Sequence, residues 1–244
     1  MSAHARLVPV GRVSGGRSSM AVWPVRGDLL PLAASYVGRF QQPAPRPEAR
    51  CETGAERDKE KPYMVGEARL EQLDAGLTPV TEGWFVVNVR DAAWVTNDVL
   101  GSACTFEGEG TPPFGEMGFT LGVLQPGTPS ALYHRESNQE DFLVLAGECL
   151  LLIEGEERRL RAWDFVHCPP ETEHIFVGAG DGPCVIFMAG GRIGEKRITY
   201  PRSELALRYG AGAETETSVP REAYASFPRW QPGPPESWDG LPWA

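Results

Sequence analysis

Between residues 84 and 189 the chain runs apolar for four to six residues at a time and then breaks on Gly, Pro, Glu or Asp. Runs of that length, rich in β-branched and aromatic residues, suit strands and are too short for helices of ordinary length. The predicted strands are 84–89 (WFVVNV), 119–124 (FTLGVL), 141–146 (DFLVLA), 149–153 (CLLLI), 163–168 (WDFVHC), 174–177 (HIFV) and 184–189 (CVIFMA). Gly-Glu-Glu at 155–157 and Asp-Gly-Pro at 181–183 read as hairpin turns. No helical pattern separates these strands, so a parallel α/β sheet is disfavoured and an all-β barrel or sandwich is expected.

The flanks read differently. Residues 67–77 (EARLEQLDAGL), with Leu70, Leu73 and a closing Gly76, suggest a short helix or turn. After the strands, Pro201, Leu205, Leu207 and Gly210 outline a two-turn helix, and 220–227 (PREAYASF) a second short one. The segment 231–244 is rich in Pro and Gly and carries Trp238 and Trp243. It either docks on the barrel or a partner subunit, or is disordered. The expected organisation is therefore an arm over 1–62, a barrel with its lead-in over 63–195, short helices over 196–230 and a tail over 231–244.

Charge separates the arm from the rest. Residues 1–50 hold seven Arg against Asp28 and Glu48, so the remainder carries −15 of a chain whose net charge is −10. With no sustained periodicity, the arm is expected to be disordered, or to reflect a start upstream of a true one at Met64. An Arg-rich organellar transit peptide shares its composition. An acidic body without a basic stripe argues against nucleic acid as partner. No apolar run reaches membrane-spanning length and no secretory signal opens the chain, so a soluble cytoplasmic protein is expected. The cysteines, Cys51, Cys104, Cys149, Cys168 and Cys184, form no CxxC pair, and the last three sit in apolar runs where small buried residues are expected.

The chemistry concentrates between Pro126 and His174, where three of the four histidines lie. His134, Glu136 and Glu140 share one parity, so an extended backbone turns them to one face, which can be a barrel interior. Glu140 leads into an apolar strand, where a carboxylate is costly to bury without a partner. His174 opens another strand behind a Pro-Pro turn. Imidazole and carboxylate groups converging from neighbouring strands are what a divalent cation needs. His167 shares the parity of Phe165 and opposes that of Cys168, which places it on the outer face or a dimer seam. The glycines of 178–182 (GAGDG) lie between two strands and make a turn, not a phosphate cradle.

With Gly127, His134, Glu140 and Gly147 in one frame and Asp164, Pro169 and His174 in a second, the chain resembles the cupin superfamily, specifically its small single-barrel members. The resemblance covers roughly 110 residues and implies a single cupin jelly-roll β-barrel with His134, Glu140 and His174 as metal ligands. It departs from the family pattern in five places, one of them Gly178 where the family often has Asn. One extra residue separates Gly127 from His134, so a rival register puts Tyr133 and Arg135 at the two His positions of the first motif. Glu136 stands where a second His is expected, Trp163 replaces the Gly before Asp164, and Glu171 replaces the Gly of Pro-x-Gly. Glu136 is then a fourth ligand or a general base. Two His with one or two carboxylates shift preference toward Mn²⁺ or Fe²⁺, with Zn²⁺ and Ni²⁺ also admitted.

The resemblance implies a metal-dependent enzyme acting on a small oxygenated molecule bound in the barrel, by dioxygenation, isomerisation or decarboxylation. Tyr133 and Arg135 are expected at the rim and a homodimer as the assembly. The competing class is a non-catalytic barrel that binds a small ligand or metal as sensor or store.

Overall fold

In the computed structural model the described residues are 65–108 and 114–243. The arm expected over 1–62, with Cys51, lies outside them. Among the described residues the strands are β1 (Leu70–Leu73), β2 (Gly76–Pro79), β3 (Val95–Asn97), β4 (Gly101–Cys104), β5 (Met117–Leu124), β6 (Arg135–Glu136), β7 (Glu140–Ala146), β8 (Glu148–Ile153), β9 (Glu156–Arg161), β10 (Phe165–Cys168), β11 (His174–Ala179), β12 (Cys184–Gly191), β13 (Ile198–Thr199) and β14 (Gln231–Pro232). Two short helices, α1 (Glu204–Arg208) and α2 (Pro220–Ala223), follow β13. No helix among the described residues is long and apolar enough to cross a membrane.

The strands form the expected all-β jelly roll. One sheet has the order β10-β7-β12-β5-β4-β3-β14 and the other β11-β8-β9, with β13-β6 as a separate ribbon. Strict alternation on β7 points Glu140, Phe142 and Val144 inward. There they meet Leu124, Cys149, Leu151, Cys168, Phe176, Cys184 and Ile186 from both sheets, which is the barrel core. Strand β11 is buried on both faces because Ala206 of α1 and Ala211 cover Ile175 and Val177 from outside. Burial, with smaller contributions from the Glu140, Asp141 and Glu154 carboxylates, pushes the Cys168 thiol up to about 12, as suits an inert core cysteine.

Several local expectations give way to tertiary pairing. Residues 67–77 do not form a helix: Leu70 pairs with Pro79 and Leu73 with Gly76, making a hairpin of β1 and β2. Two leucines three apart fit a helical turn, but the following Gly76–Pro79 run supplies cross-strand partners. A side chain at Gly76 would meet the Ala92 carbonyl at 2.2 Å. The run 84–89 is not a strand either; only Trp84 bridges, to Glu67. Its Val87 and Val89 pack on the outer face around Trp94 while Val86 stays exposed, so the segment covers a sheet instead of extending one.

The turn at 181–183 is not a hairpin, because β11 pairs with β8 while β12 pairs with β5 and β7. It carries the chain from one sheet to the other. The hairpin between β8 and β9 does form, and its turn residues are Glu154 and Gly155, both at positive φ (49° and 78°). Helix α1 begins at an N-cap Ser203, whose side chain accepts from the Ala206 N–H, so Pro201 precedes the helix. Both helices are shorter than expected, at five and four residues. The tail docks on the molecule: β14 pairs with β3, and the rings of Trp238 and Trp243 lie 5.8 and 5.6 Å from that of Trp94.

Candidate metal centre

Backbone pairing builds the site. His134 lies just before β6 and forms an isolated antiparallel bridge with His174, the first residue of β11. The His134 N–H donates to the His174 carbonyl at 3.2 Å, and the His174 N–H donates back at 2.9 Å. Directly opposed residues in such a pair send their side chains to the same face. Here both imidazoles point into the barrel, with ring centroids 5.0 Å apart. Glu140 arrives from the other sheet, where β7 pairs it with Gly190 of β12 and Cys168 of β10.

The three side chains converge. His174 Nε2 is 3.6 Å and His134 Nε2 4.0 Å from Glu140 Oε2. One donor atom from each residue lies within 4.8 Å of the others. Two donors each ~2.1 Å from a common ion stand at most ~4.2 Å apart, so both carboxylate-imidazole edges already suit a shared divalent ion. All three residues are buried. They border a cavity of about 30 Å³ whose walls include Phe142, Phe176 and Met188.

The imidazoles are also set in one tautomer. His134 Nδ1–H donates to the Leu132 carbonyl at 2.6 Å, and His174 Nδ1–H to the Thr172 carbonyl at 3.0 Å. Each ring therefore presents the lone pair of Nε2 to Glu140, the orientation that backbone carbonyls behind metal-bound histidines enforce. His134 Nε2 has no hydrogen-bond partner despite its burial. Burial, reinforced by neighbouring His174, pulls the His134 imidazole down to about 3, and burial lowers His174 as well. Burial raises Glu140 to about 7, against the pull of Lys196. Neutral imidazoles with an orphaned lone pair and a carboxylate lacking a strong partner fit a divalent cation.

Glu136 stands beside this group. It is buried, and Lys196 Nζ holds its Oε2 at 2.9 Å while Oε1 has no partner. Burial, then the neighbouring Glu140, raise it to about 7. Lys196 escaped the sequence reading, although it is the sole lysine after Lys61 in an Arg-rich chain. Thr120 Oγ1 and Asn138 Nδ2 are further buried polar atoms without hydrogen-bond partners among the described residues.

The other sequence candidates lie elsewhere. Tyr133 is buried on the opposite side among Leu152, Ile175 and Ala206, and its hydroxyl accepts the Gly155 N–H, so it is not at a rim. The register that favoured Tyr133 and Arg135 would turn both histidine positions away from Glu140. Arg135 pairs with Glu173 at 2.6 Å and with Glu171 at 3.6 Å. His167 is exposed on the outer face, 2.7 Å from Asp141 Oδ1. Asp164 Oδ2 accepts the Arg161 N–H at 2.9 Å and so holds the turn into β10. Trp163 and Glu171, which replace the family's two glycines, nevertheless adopt φ of 76° and 69°. The backbone keeps the glycine conformation and these side chains bear its strain.

A family model for the cupin domain matches residues 120–190. Among solved structures, the chain is similar to a candidate sugar phosphate isomerase of Acidithiobacillus ferrooxidans, at 28% identity over 35% of this chain with a TM-score of 0.34. It spans 56% of that protein's length. A cupin-superfamily sugar phosphate isomerase of Silicibacter pomeroyi matches at 21% identity, covering 46% of this chain and 79% of that one, TM-score 0.40. A cupin 2 conserved barrel domain protein of Salinispora arenicola matches at 19% identity over 46% and 92%, TM-score 0.38. No curated protein matches the chain.

Proposed function

We propose that the cupin domain matched at residues 120–190 uses His134, Glu140 and His174 to hold a divalent metal ion for an enzyme acting on a small oxygenated molecule. The observation that carries this reading is the pair of Nδ1–H donations to Leu132 and Thr172, which commit both Nε2 lone pairs to the space beside Glu140. Mn²⁺, Fe²⁺, Zn²⁺ and Ni²⁺ are the ions this donor set takes. When bound, such an ion supplies Lewis acidity toward a carbonyl or hydroxyl oxygen. Glu136 Oε1, buried and unpartnered beside the ligands, is the atom placed to take or return a proton, and its pKa near 7 suits both directions at neutral pH. Phe142 and Phe176 exclude water from one side of the ligands.

A second reading is a barrel that holds its ion without turnover, as a sensor or store. The cavity favours it: about 30 Å³ has room for one water and not for a metabolite. Elemental analysis of protein purified without chelators tests the first step. The expected result is one equivalent of metal per chain, lost in His174→Ala. Protein that binds none of the four ions when they are offered in excess would sink both readings. If metal is present, oxygen consumption and isomerisation assays against small enediols, phenols and keto acids separate an enzyme from a store.

A further inference from the structure

Lys196 reaches the metal-binding end of the barrel through long-range pairing. Strand β13 pairs with β6, setting Ile198 opposite Glu136 and Thr199 opposite Arg135. The preceding loop is fastened to Ser137, whose N–H donates to the Arg197 carbonyl at 2.9 Å and whose hydroxyl accepts the Arg197 N–H at 2.9 Å. The same hydroxyl lies 3.2 Å from the Glu195 carbonyl. On the other side the Glu171 N–H donates to the Glu136 carbonyl at 2.7 Å. Both the loop and the Glu136 backbone are therefore fixed, and the Lys196 ammonium meets Glu136 Oε2 at 2.9 Å.

Glu136 has one position in the sequence from which it could join the metal, since it shares the parity of His134 and Glu140. Yet among the described residues the donor atoms that converge belong to His134, Glu140 and His174. The difference lies in the partner of each carboxylate. Among the described residues Glu140 has no cation within salt-bridge distance other than the two imidazoles, whereas Glu136 has an ammonium in direct contact. Glu136 is buried and the Lys196 side chain only partly exposed, so breaking the contact would leave the carboxylate buried without its cation.

We propose that Lys196 is a positioning residue that holds Glu136 out of the metal's coordination sphere, so that the ion keeps three protein ligands and open positions for substrate. This rests on the metal reading above and assigns a role that reading leaves undecided. It also gives the Glu at this position a different part from the metal ligand whose place it takes.

Co²⁺ titration of the purified full chain tests the proposal, with affinity and the visible ligand-field spectrum as readouts. In the otherwise intact protein, Glu136→Gln should change Co²⁺ affinity by less than about threefold and leave the spectrum unchanged; a loss on the order of tenfold or more would show that Glu136 is a ligand and overturn the proposal. Lys196→Met should free Glu136, raise affinity on the order of tenfold and shift the spectrum toward higher coordination. In Lys196→Met/Glu136→Gln both changes should vanish, which separates ligation from the mere loss of a nearby positive charge. Lys196→Arg should restore the behaviour of the intact protein. Failure of the intact protein to bind Co²⁺ would bring down the metal reading and this proposal with it. Normal binding with an unaltered spectrum in folded Lys196→Met would overturn the proposal alone.

Discussion

Strand β7 begins with two carboxylates in succession, and each meets histidine on its own side of the sheet. Glu140 turns inward to His134 and His174, all three buried. Asp141 turns outward to His167, whose side chain is 51% exposed. The pairing chemistry is the same, but the surroundings are not. Inside, both imidazoles are tied by Nδ1 to backbone carbonyls and Nε2 is left for something else; outside, Nδ1 itself is spent on the carboxylate. A His-carboxylate contact becomes a candidate metal site only where a backbone carbonyl claims the other ring nitrogen and water is excluded.

The largest effects should fall on the inner group. His174→Ala is expected to weaken Zn²⁺ or Co²⁺ binding by more than ~100-fold in calorimetric titration, and His167→Ala by less than about twofold. Equal losses would erase the distinction between the two faces. Next comes the pH dependence of that binding. His134 stays neutral down to about pH 3, so the carboxylate with its pKa near 7 limits ligation. Affinity should rise roughly tenfold per unit up to pH 6, about fivefold more between pH 6 and 7, and then level. An affinity that is flat down to pH 5 would mean that the inner carboxylate is not the titrating ligand.

Metal-free stability probes the same carboxylate with the opposite sign. Its folded-state pKa lies above the ordinary 4.5, so the native state keeps a proton that the unfolded chain has already released. That preference stabilises below about pH 4.5 and is lost as pH rises toward 7. The melting temperature of Glu140→Gln should therefore gain on that of the parent across this window, and a constant difference would refute the burial argument. The outer pair should matter least among the charged contacts: His167→Ala is expected to cost at most about 1 kcal/mol in urea denaturation. Smallest of all, Glu171→Gly should stabilise by a few tenths to ~1 kcal/mol by relieving the positive φ, with metal affinity unchanged. A change in affinity would show that the strained turn tunes the inner group.

The strands between 117 and 191 were legible because alternation and turn residues agree there, and the inner group was legible because His134 and Glu140 share one parity and one motif frame while His174 opens a strand in the second frame. Residues 84–89 misled because apolar content marks burial, and burial against Trp94 needs no ladder. The turn at 181–183 misled because a hairpin and a passage between sheets use the same residues. Lys196 was hidden because its position depends on β13 meeting β6, a contact between segments far apart in the chain. Trp163 and Glu171 break the glycine rule of their turns, and only the backbone angles show that the turns persist.

The tail on Trp94 has a consequence for how the molecule is made. During synthesis every candidate ligand, and Lys196 after them, leaves the ribosome before Gln231–Pro232 can pair with β3 or the indoles of Trp238 and Trp243 can cover Trp94. The inner end of the barrel can thus assemble on a nascent chain whose outer sheet face is still wet and adhesive. Residues 231–243 act as a seal over Trp94, and a nascent chain that has not yet exposed them would carry a formed inner end beside an adhesive, aggregation-prone sheet face.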